Sequence, residues 1–450
     1  MKRVYTFLAA WFIIQSAYPQ EKASIAFSLQ QCIEYAKENN PNIKSARIGI
    51  ESAESRVRET LAIGLPQITG SADLGSNFII PTSFLPASIL GGPPGEYIGV
   101  KFGTQYVGRA TLNVDQMIFN GSYFVGLKAS RTYTELSRKD LINSQTDLVG
   151  AIKKAYYSVL VSEERLSLVV KNYQRLDSLL EQTKAMYQNG FAEKIDVNRV
   201  QVQFNNIENT RRSAAIGLEV GKNLLKFQMG LPITENLVLS EPLGSIELQV
   251  LNEDYKKNFN YSNRIEYSKL EINHALTELD IKNVTSQYLP KLDFYGSYGA
   301  SYGTSTFNNF IAFGPNWRSL GVVGIRANLP IFDGLRKSNQ IQQKRIQLQQ
   351  IENSKGLVKN QIDMEQTQAE LSFNNSLETL KTQRQNMELA EEVYKVSVIK
   401  YQQGVGSNIE VINADASYKE AQTNYYAALY DALIASVDLE RSYGKLLDNQ

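Results

Sequence analysis

Side chains that commonly do chemistry are scarce in this sequence. One histidine, His274, and one cysteine, Cys32, stand among 450 residues. These counts exclude an intramolecular disulfide framework and any metal site rich in cysteine or histidine. The sequence also holds no nucleophile elbow, no phosphate loop and no HExxH helix. We therefore expect no catalytic residue, no cofactor and no metal site, and we expect that the protein is not an enzyme.

The polar residues that stand out lie in a turn that occurs twice. Residues 187–197 read YQNGFAEKIDV and residues 401–411 read YQQGVGSNIEV, in one register 214 residues apart. Each turn is followed by an acid, Asp196 or Glu410, in what we interpret as the first turn of a helix. The helix dipole stabilises an acid there by about 0.3–1 kcal/mol, so each acid has a simple capping role available.

The duplication extends beyond the two turns. The same offset relates identical residues within the turns, Gly190 with Gly404 and Val197 with Val411, and on either side of them, Arg131 with Arg345 and Gly230 with Gly444. A constant offset over this length indicates internal duplication. The first half carries about ten more residues than the second between its Leu-Pro pair and its FNG segment, and this excess falls in residues 81–100, which read as a loop.

Long helices are predicted in both halves. No proline lies between Pro94 and Pro232 or after Pro330. Apolar and small residues in these stretches follow heptad steps, as in Leu166, Val169, Tyr173, Leu176, Leu180, Thr183 and Tyr187, and again in Leu380, Gln383, Met387, Ala390, Tyr394, Ser397 and Tyr401. A helix over about 122–189 would be ~100 Å long. Gly190 and Gly404 then stand at helix C-termini, so each repeated turn is the tip of an antiparallel hairpin. The residues at these heptad positions fit two arrangements, a surface-exposed coiled coil or a ring of hairpins around a water-filled interior.

Before each long helix the pattern changes to strict alternation. Apolar and polar residues alternate near 67–78, 104–119, 291–302 and 319–332, with Arg, Lys and Asp on the polar side. Aromatic residues cluster toward the loop ends, at Phe78, Phe84, Phe102, Tyr106, Phe307, Phe310, Phe313 and Trp317. Such strands are typical of a membrane β-barrel with a wet interior, and a soluble sandwich is the alternative. Four membrane strands cannot close a barrel, so the chain must oligomerise; two copies give eight strands and three give twelve.

The N-terminus predicts export. Lys2 and Arg3 precede the apolar run VYTFLAAWFII, the pattern of a signal peptide over residues 1–20. The predicted organisation continues with a first structural repeat at 27–230 (strands about 67–119, hairpin about 122–229) and a linker or equatorial segment at 231–250. The second repeat follows at 251–446, with strands at about 291–332 and a hairpin at about 335–445.

The charge balance does not favour nucleic acid as a partner. Lys and Arg number 47 against 46 Asp and Glu, so the protein has no large net positive charge that would attract nucleic acid.

Taken in order, these features resemble a known family. A signal peptide leads to FSLQQCIEYAKENNPNI, then to strand hairpins opened by GLP and YLP, long helices after FNG and FDG, and the doubled YxxG turns. The chain resembles the TolC-like outer-membrane efflux proteins, also called outer-membrane factors, over about residues 27–446. The order of these motifs, doubled at a fixed offset, carries the resemblance.

The resemblance implies an α+β membrane protein acting as a homotrimer. Four membrane β-strands per chain would contribute to a 12-stranded β-barrel in the outer membrane of a Gram-negative bacterium. The long antiparallel helical hairpins would form a periplasmic α-barrel. The implied partners are a periplasmic adapter (membrane fusion) protein, an inner-membrane pump of the RND or ABC type, and outer-membrane lipid, with no nucleic acid.

The resemblance also assigns roles at the tips. It places the adapter-contacting positions at Gly190, Phe191, Ala192, Gly404, Val405 and Ser407. It places a pore gate at Asp196 and Tyr401, where a tyrosine hydroxyl would donate to a carboxylate and link the two hairpins. An acidic constriction falls on Glu410, while a second acidic position is occupied by Asn413, and Gly406 replaces an arginine that would form a closing salt bridge.

The function implied is a passive exit duct of a tripartite efflux pump that conducts small molecules and is gated at the helix tips. Two alternatives remain at this stage. The first is the outer-membrane channel of a type I protein secretion system, which the sequence does not separate from efflux because the pump partner sets the cargo. The second, of another class, is a structural coiled-coil envelope protein, which explains the helices but not the charged alternation in four long strands.

Overall fold

The structure is a computed structural model that describes residues 25–243, 259–308 and 317–447. Four predictions lie wholly or partly outside these ranges: the signal peptide, the last residues of the 231–250 linker, the first residues (251–258) of the second repeat, and the aromatic residues Phe310 and Phe313.

The described chain alternates helices and strands in the duplicated order that the sequence predicts. The first half contains β1 (Ile25–Phe27), α1 (Leu29–Asn39), α2 (Pro41–Ala62), β2 (Gln67–Ser76), β3 (Thr82–Pro86), β4 (Tyr97–Lys101), β5 (Tyr106–Phe119), α3 (Gly121–Gln188), α4 (Lys194–Met229) and β6 (Leu237–Leu239). The second half contains α5 (Ile265–Ser286), β7 (Lys291–Thr304), β8 (Arg318–Asn328), α6 (Arg336–Gln402) and α7 (Asn408–Ser442). The long helix expected over 122–189 is observed as α3.

The chain divides into two compact units, and the division does not follow the sequence repeats. Of the described residues, unit 1 takes those within 25–46, 141–265 and 360–447, and unit 2 takes those within 47–140 and 266–359. Each unit therefore takes segments from both halves of the duplication. Unit 1 holds the tips of the two helical hairpins, and unit 2 holds the sheet formed by the long strands.

The main core of unit 1 joins the N-terminal segment to the helices. Strand β1 pairs in parallel with β6, which brings Phe27 next to Leu239 across 212 residues of chain. Cys32 and Ile33 of α1 are buried in the same cluster as Tyr156 of α3. The capping box at Ser28, whose side chain accepts from Gln31 N, fixes the start of α1 against this core.

Burial differs sharply among the four long helices. Fifteen residues of α7 are buried, whereas the structure buries only Lys337, Ile362 and Phe373 over the whole of α6. Helix α3 is buried at many positions, and α4 at only five. In unit 1 the central pair is therefore α3 and α7. Helices α4 and α6 each leave one side uncovered in the single chain.

The sheet of unit 2 combines the strands of both repeats. Its order is β2-β5-β7-β8, with every neighbouring pair antiparallel. The register aligns Asp73 with Arg109, and Arg109 with Ser301, on one face. It aligns Leu74 with Gly108, and Gly108 with Tyr302, on the other. Apolar and polar residues therefore segregate to opposite faces, as the alternation predicts.

One connection differs from the expectation. Residues 81–100 read as a loop, but they contain β3 and β4, which pair as an antiparallel hairpin from Thr82–Lys101 to Pro86–Tyr97. The strand segments TSFLP and YIGVK are rich in aromatic and branched residues, which favour extended structure. The glycines and prolines that suggested a loop are concentrated between them, at residues 91–95.

Among the helices that the structure describes, none is both long and apolar enough to cross a membrane.

Candidate functional site at the hairpin tips

The first tip is a glycine-capped turn of five residues. Helix α3 ends at Gln188, and Gly190 adopts a left-handed φ of 80°. The backbone N–H of Phe191 then donates to Met186 O at 2.8 Å, which closes the helix end. Helix α4 begins at Lys194 behind a capping box in which the Asp196 carboxylate accepts from Glu193 N. The turn is fixed by its own backbone and caps.

The second tip repeats this geometry. Gly404 has a φ of 75°, and Val405 N donates to Lys400 O at 3.0 Å. Ser407 is the N-cap of α7, and its hydroxyl accepts from Glu410 N at 3.3 Å. The two turns that match in sequence therefore match in conformation, and the predicted left-handed glycines are confirmed.

Each tip presents a pair of exposed apolar side chains. Phe191 is 79% exposed and Ile195 50% exposed; at the second tip Val405 is 76% exposed and Ile409 46%. Each tip therefore leaves two apolar side chains open to solvent. Phe191 and Val405 were predicted from the family resemblance. Ile195 and Ile409 were missed, although their exact correspondence at the 214-residue offset was visible in the sequence.

The predicted link between Asp196 and Tyr401 does not form within one chain. The Tyr401 hydroxyl lies 3.9 Å from Met186 Sδ, a weak contact between the two hairpins. The Asp196 carboxylate accepts from Glu193 N at 3.3 Å and from Arg199 at 3.4 Å, both in its own turn. Helix capping occupies this carboxylate because Asp196 is the third residue of α4.

The two residues of the predicted constriction lie on one side of α7. Glu410 and Asn413 are both exposed and are three residues apart, whereas Val411 and Ala414 are buried beside them. The exposed side of α7 therefore carries one carboxylate and one amide near its N-terminus. Their contribution to a constriction stays a prediction.

A buried polar cluster beside the tips was not anticipated from the sequence. The Arg175 guanidinium of α3 donates to Asp415 Oδ1 of α7 at 2.5 Å, and Lys419 Nζ lies 2.5 Å from Asp415 Oδ2. The same guanidinium lies 4.4 Å from the ring centroid of Tyr394 in α6. The Tyr394 ring stacks on that of Tyr418 at 6.0 Å, and burial raises the pKa of the Tyr394 hydroxyl. Arg175 of α3 therefore contacts two other long helices, α6 and α7.

Further polar contacts continue along α3 and α7. Asn172 Nδ2 donates to Gln422 Oε1 at 3.2 Å, and Lys153 Nζ donates to Glu440 Oε2 at 2.5 Å, both in buried surroundings. By contrast, α3 packs on α4 through apolar residues, with Val169, Leu176 and Ile207 buried together. Apolar packing thus holds α3 against α4, while the two hairpins are joined by these polar contacts and by apolar packing, since Val149 of α3 and Val437 of α7 belong to one buried cluster.

The described residues contain no group of three or more His, Cys, Asp or Glu that is arranged to hold a metal ion. The tips and the seam beside them offer packing surfaces and fixed charges. This chemistry suits contact with other protein surfaces and the passage of polar solutes.

Comparison with known proteins identifies the family. The sequence profile of the outer membrane efflux proteins matches residues 32–214 and 262–445. The chain belongs to the outer membrane efflux protein family. It is thus an outer-membrane efflux protein, and the resemblance inferred from the doubled motifs is confirmed.

Individual members of this family are distant in sequence. The chain is 21% identical to outer membrane protein TolC of Escherichia coli strain K12 over 440 residues, covering 94% of this chain and 83% of TolC. It is 19% identical to TolC of Vibrio cholerae serotype O1 over 421 residues, covering 94% and 91%. The two matched segments fall within the repeats predicted at 27–230 and 251–446.

Solved structures of outer-membrane channels share the fold. The crystal structure of the outer membrane protein VceC from Vibrio cholerae superposes with a TM-score of 0.69 at 17% identity, covering 92% of this chain and 96% of VceC. The open state of the MtrE outer membrane channel of Neisseria gonorrhoeae gives a TM-score of 0.72 at 16% identity, covering 93% and 89%. The efflux family fold therefore extends over almost the whole chain.

Proposed function

We propose that this chain forms, as a homotrimer, the outer-membrane exit duct of a tripartite efflux pump. It passively conducts small molecules that an inner-membrane pump and a periplasmic adapter deliver. The observation that carries the proposal is that the four-stranded sheet has two open edges. Within the described residues, β2 and β8 each pair on one side only. An open sheet edge in lipid leaves backbone groups unpaired, at a cost of several kcal/mol each. Three copies remove every edge by giving twelve strands in a closed β-barrel.

The helices of unit 1 support the same assembly. Exposed apolar residues line α4, at Ile195, Val202, Ile216, Val220, Leu224 and Phe227. A second set lines α6, at Met364, Leu371, Leu389, Val393, Val396 and Ile399. These two helices are the ones that the single chain leaves half covered. In the proposed trimer, α4 of one copy packs on α6 of the next, and the hairpins form a periplasmic α-barrel.

The tips fit the proposed adapter contact. The exposed pairs Phe191 with Ile195 and Val405 with Ile409 form two similar apolar surfaces on each copy. Three copies would present six such surfaces in a ring, an arrangement that suits a partner with repeated apolar hairpins. Gly190 and Gly404 set the turns that present these residues. Ala192 and Ser407 complete the proposed contact.

Glu410 is proposed as the acidic constriction. Three Glu410 side chains near one axis would favour cations over anions. Asn413 lies next to Glu410 and adds no charge, so a single acidic ring is expected. Asp196 and Tyr401 stay proposed as gate residues through contacts between neighbouring copies.

The decisive experiment is the native mass of the protein after detergent extraction from outer membranes. The proposal expects a complex of three chains, each about 50 kDa before any processing. A stable monomer in the soluble periplasmic fraction would refute the channel, because one copy carries only four strands. A trimer without ion conductance in planar bilayers would leave the assembly intact and overturn the duct function.

A further inference from the structure

The β3–β4 hairpin is an unusually apolar surface feature. Residues 77–103 contain only two charged side chains, Glu96 and Lys101. The structure nevertheless leaves large apolar residues of this segment exposed, namely Phe78, Ile79, Phe84, Ile89, Leu90, Tyr97, Ile98 and Phe102. Phe78 is 91% exposed and Phe84 72%. Soluble surfaces rarely expose contiguous apolar patches of this kind without a binding role.

The register of the hairpin gives it a defined aromatic face. Phe84 is opposite Gly99, and Pro86 is opposite Tyr97, so Phe84 and Tyr97 project to the same side of the ribbon. Thr82 lies on this side as well, two residues before Phe84, and so does Lys101, which is paired with Thr82. Ser83 faces the other side. We call the side that carries Thr82, Phe84 and Tyr97 the aromatic face.

Lipid does not account for this face, because the hairpin lies beyond the membrane-spanning part of the sheet. Aromatic contacts mark the end of the sheet's apolar face: Tyr106 packs on Phe307 at 5.5 Å, and Tyr302 stacks on Trp317 at 6.0 Å. Such residues form the girdle at a membrane interface. Strand β5 starts at Tyr106 and, tilted by about 40°, covers roughly 33 Å, more than the ~25 Å apolar band of such sheets.

The position of the hairpin indicates what covers it. It continues from β2, since Asn77 N still donates to Gln105 O at 2.7 Å after the last ladder pair. Strand β2 is an edge of the sheet, so the next copy must join there in the proposed channel. Among the described residues, the β3–β4 hairpin is the one paired hairpin between the long strands.

We propose that the aromatic face of the β3–β4 hairpin packs against a neighbouring copy of this chain, and that the three hairpins together narrow the outer mouth of the channel. This inference rests on the proposed trimeric duct. It adds a constriction at the exit, formed by apolar contacts between copies, which is separate from the charged helix tips.

Cross-linking tests the contact. The only native cysteine, Cys32, is fully buried, so a short bismaleimide reaches only an introduced thiol. Thr82→Cys places a thiol on the aromatic face, and Ser83→Cys is the matched control one residue away on the opposite side. We expect covalent dimers from Thr82→Cys in native outer membranes, since one thiol per chain allows each bismaleimide to join only two chains, and a clear loss of these dimers in Ser83→Cys.

Conductance tests the narrowing. The double variant Phe84→Ser with Tyr97→Ser is expected to raise single-channel conductance in planar bilayers while native mass still reports three chains. A trimer with no cross-linking from Thr82→Cys overturns the contact, and labelling of that thiol by lipid-borne maleimide would assign the face to lipid instead. Cross-linking with unchanged conductance overturns the narrowing. Absence of a trimer removes the proposed function itself, so the two failures are distinguishable.

Discussion

Replacing Asp415 by Asn is expected to weaken the connection between the two helical hairpins. Asp415 is 8% exposed and accepts from Arg175 of α3 and from Lys419, both at 2.5 Å. The substitution keeps the shape of the side chain and removes its charge. Arg175 and Lys419 then lose their common counter-charge in a poorly hydrated place. The α3–α7 contact loses stability, while the apolar packing inside each hairpin is untouched.

The size of the effect follows from the degree of burial. Breaking a fully buried pair costs about 3–5 kcal/mol, whereas an exposed pair contributes about 0–1 kcal/mol. The Arg175 and Lys419 side chains are 28% and 22% exposed, so water compensates part of the loss. We therefore expect Asp415→Asn to destabilise the α3–α7 contact by about 1–3 kcal/mol. A value of about 2 kcal/mol changes an equilibrium between joined and separated hairpins by about 30-fold.

Single-channel recording in planar bilayers measures this shift as a larger fraction of time in the high-conductance state. The matched control is Glu208→Gln, which removes one negative charge from an exposed Glu208–Arg212 pair within α4 and is expected to cost only about 0.3–0.5 kcal/mol. A double-mutant cycle with Arg175→Met isolates the pair. The reasoning is refuted if Asp415→Asn and Glu208→Gln behave alike, or if the cycle gives no coupling energy.

Three further predictions test separate parts of the structure. Gly404→Ala should lower the free energy of unfolding by about 1–2 kcal/mol. This loss comes from the left-handed backbone alone, since no atom lies within 4 Å of an added Cβ. Gly230→Ala should destabilise the protein more, because its Cβ would also lie 2.9 Å from a carbonyl oxygen of α1. Equal thermal midpoints for these two variants would contradict this. Burial, followed by the nearby Glu241 charge, raises the pKa of the Cys32 thiol to about 12. Ellman's reagent at pH 8 should therefore label only unfolded protein. Rapid labelling of the native protein would contradict this prediction. Glu410→Gln should reduce cation preference, measured as reversal potential in a salt gradient, and an unchanged potential would remove Glu410 from the constriction.

The repeated local patterns made much of the fold predictable. Heptad steps without proline predict α3 and α6, and strict alternation predicts β2, β5, β7 and β8. Gly190 and Gly404 mark the tips because only a residue without a Cβ adopts a positive φ at little cost. In each case the signal lies within a few neighbouring residues.

The β3–β4 hairpin shows where local patterns fail. Residues 91–95 carry glycine and proline, which dominated the interpretation of the whole segment as a loop. The flanking strands are only five residues long, too short for alternation to be distinctive. Asp196 shows a related difficulty, because the same position suits a helix cap and a link between hairpins, and the sequence does not decide between them.

By itself the sequence determined the duplication, the types of the long helices and long strands, and the tip turns, because these depend on residues close together in the chain. Tertiary structure alone decided that β5 pairs with β7 and so merges the two repeats into one sheet. It also decided that Arg175 meets Asp415, 240 residues away. Neither partner is marked in the sequence, since a buried ion pair and a strand pairing acquire their energy only when distant segments exclude water together.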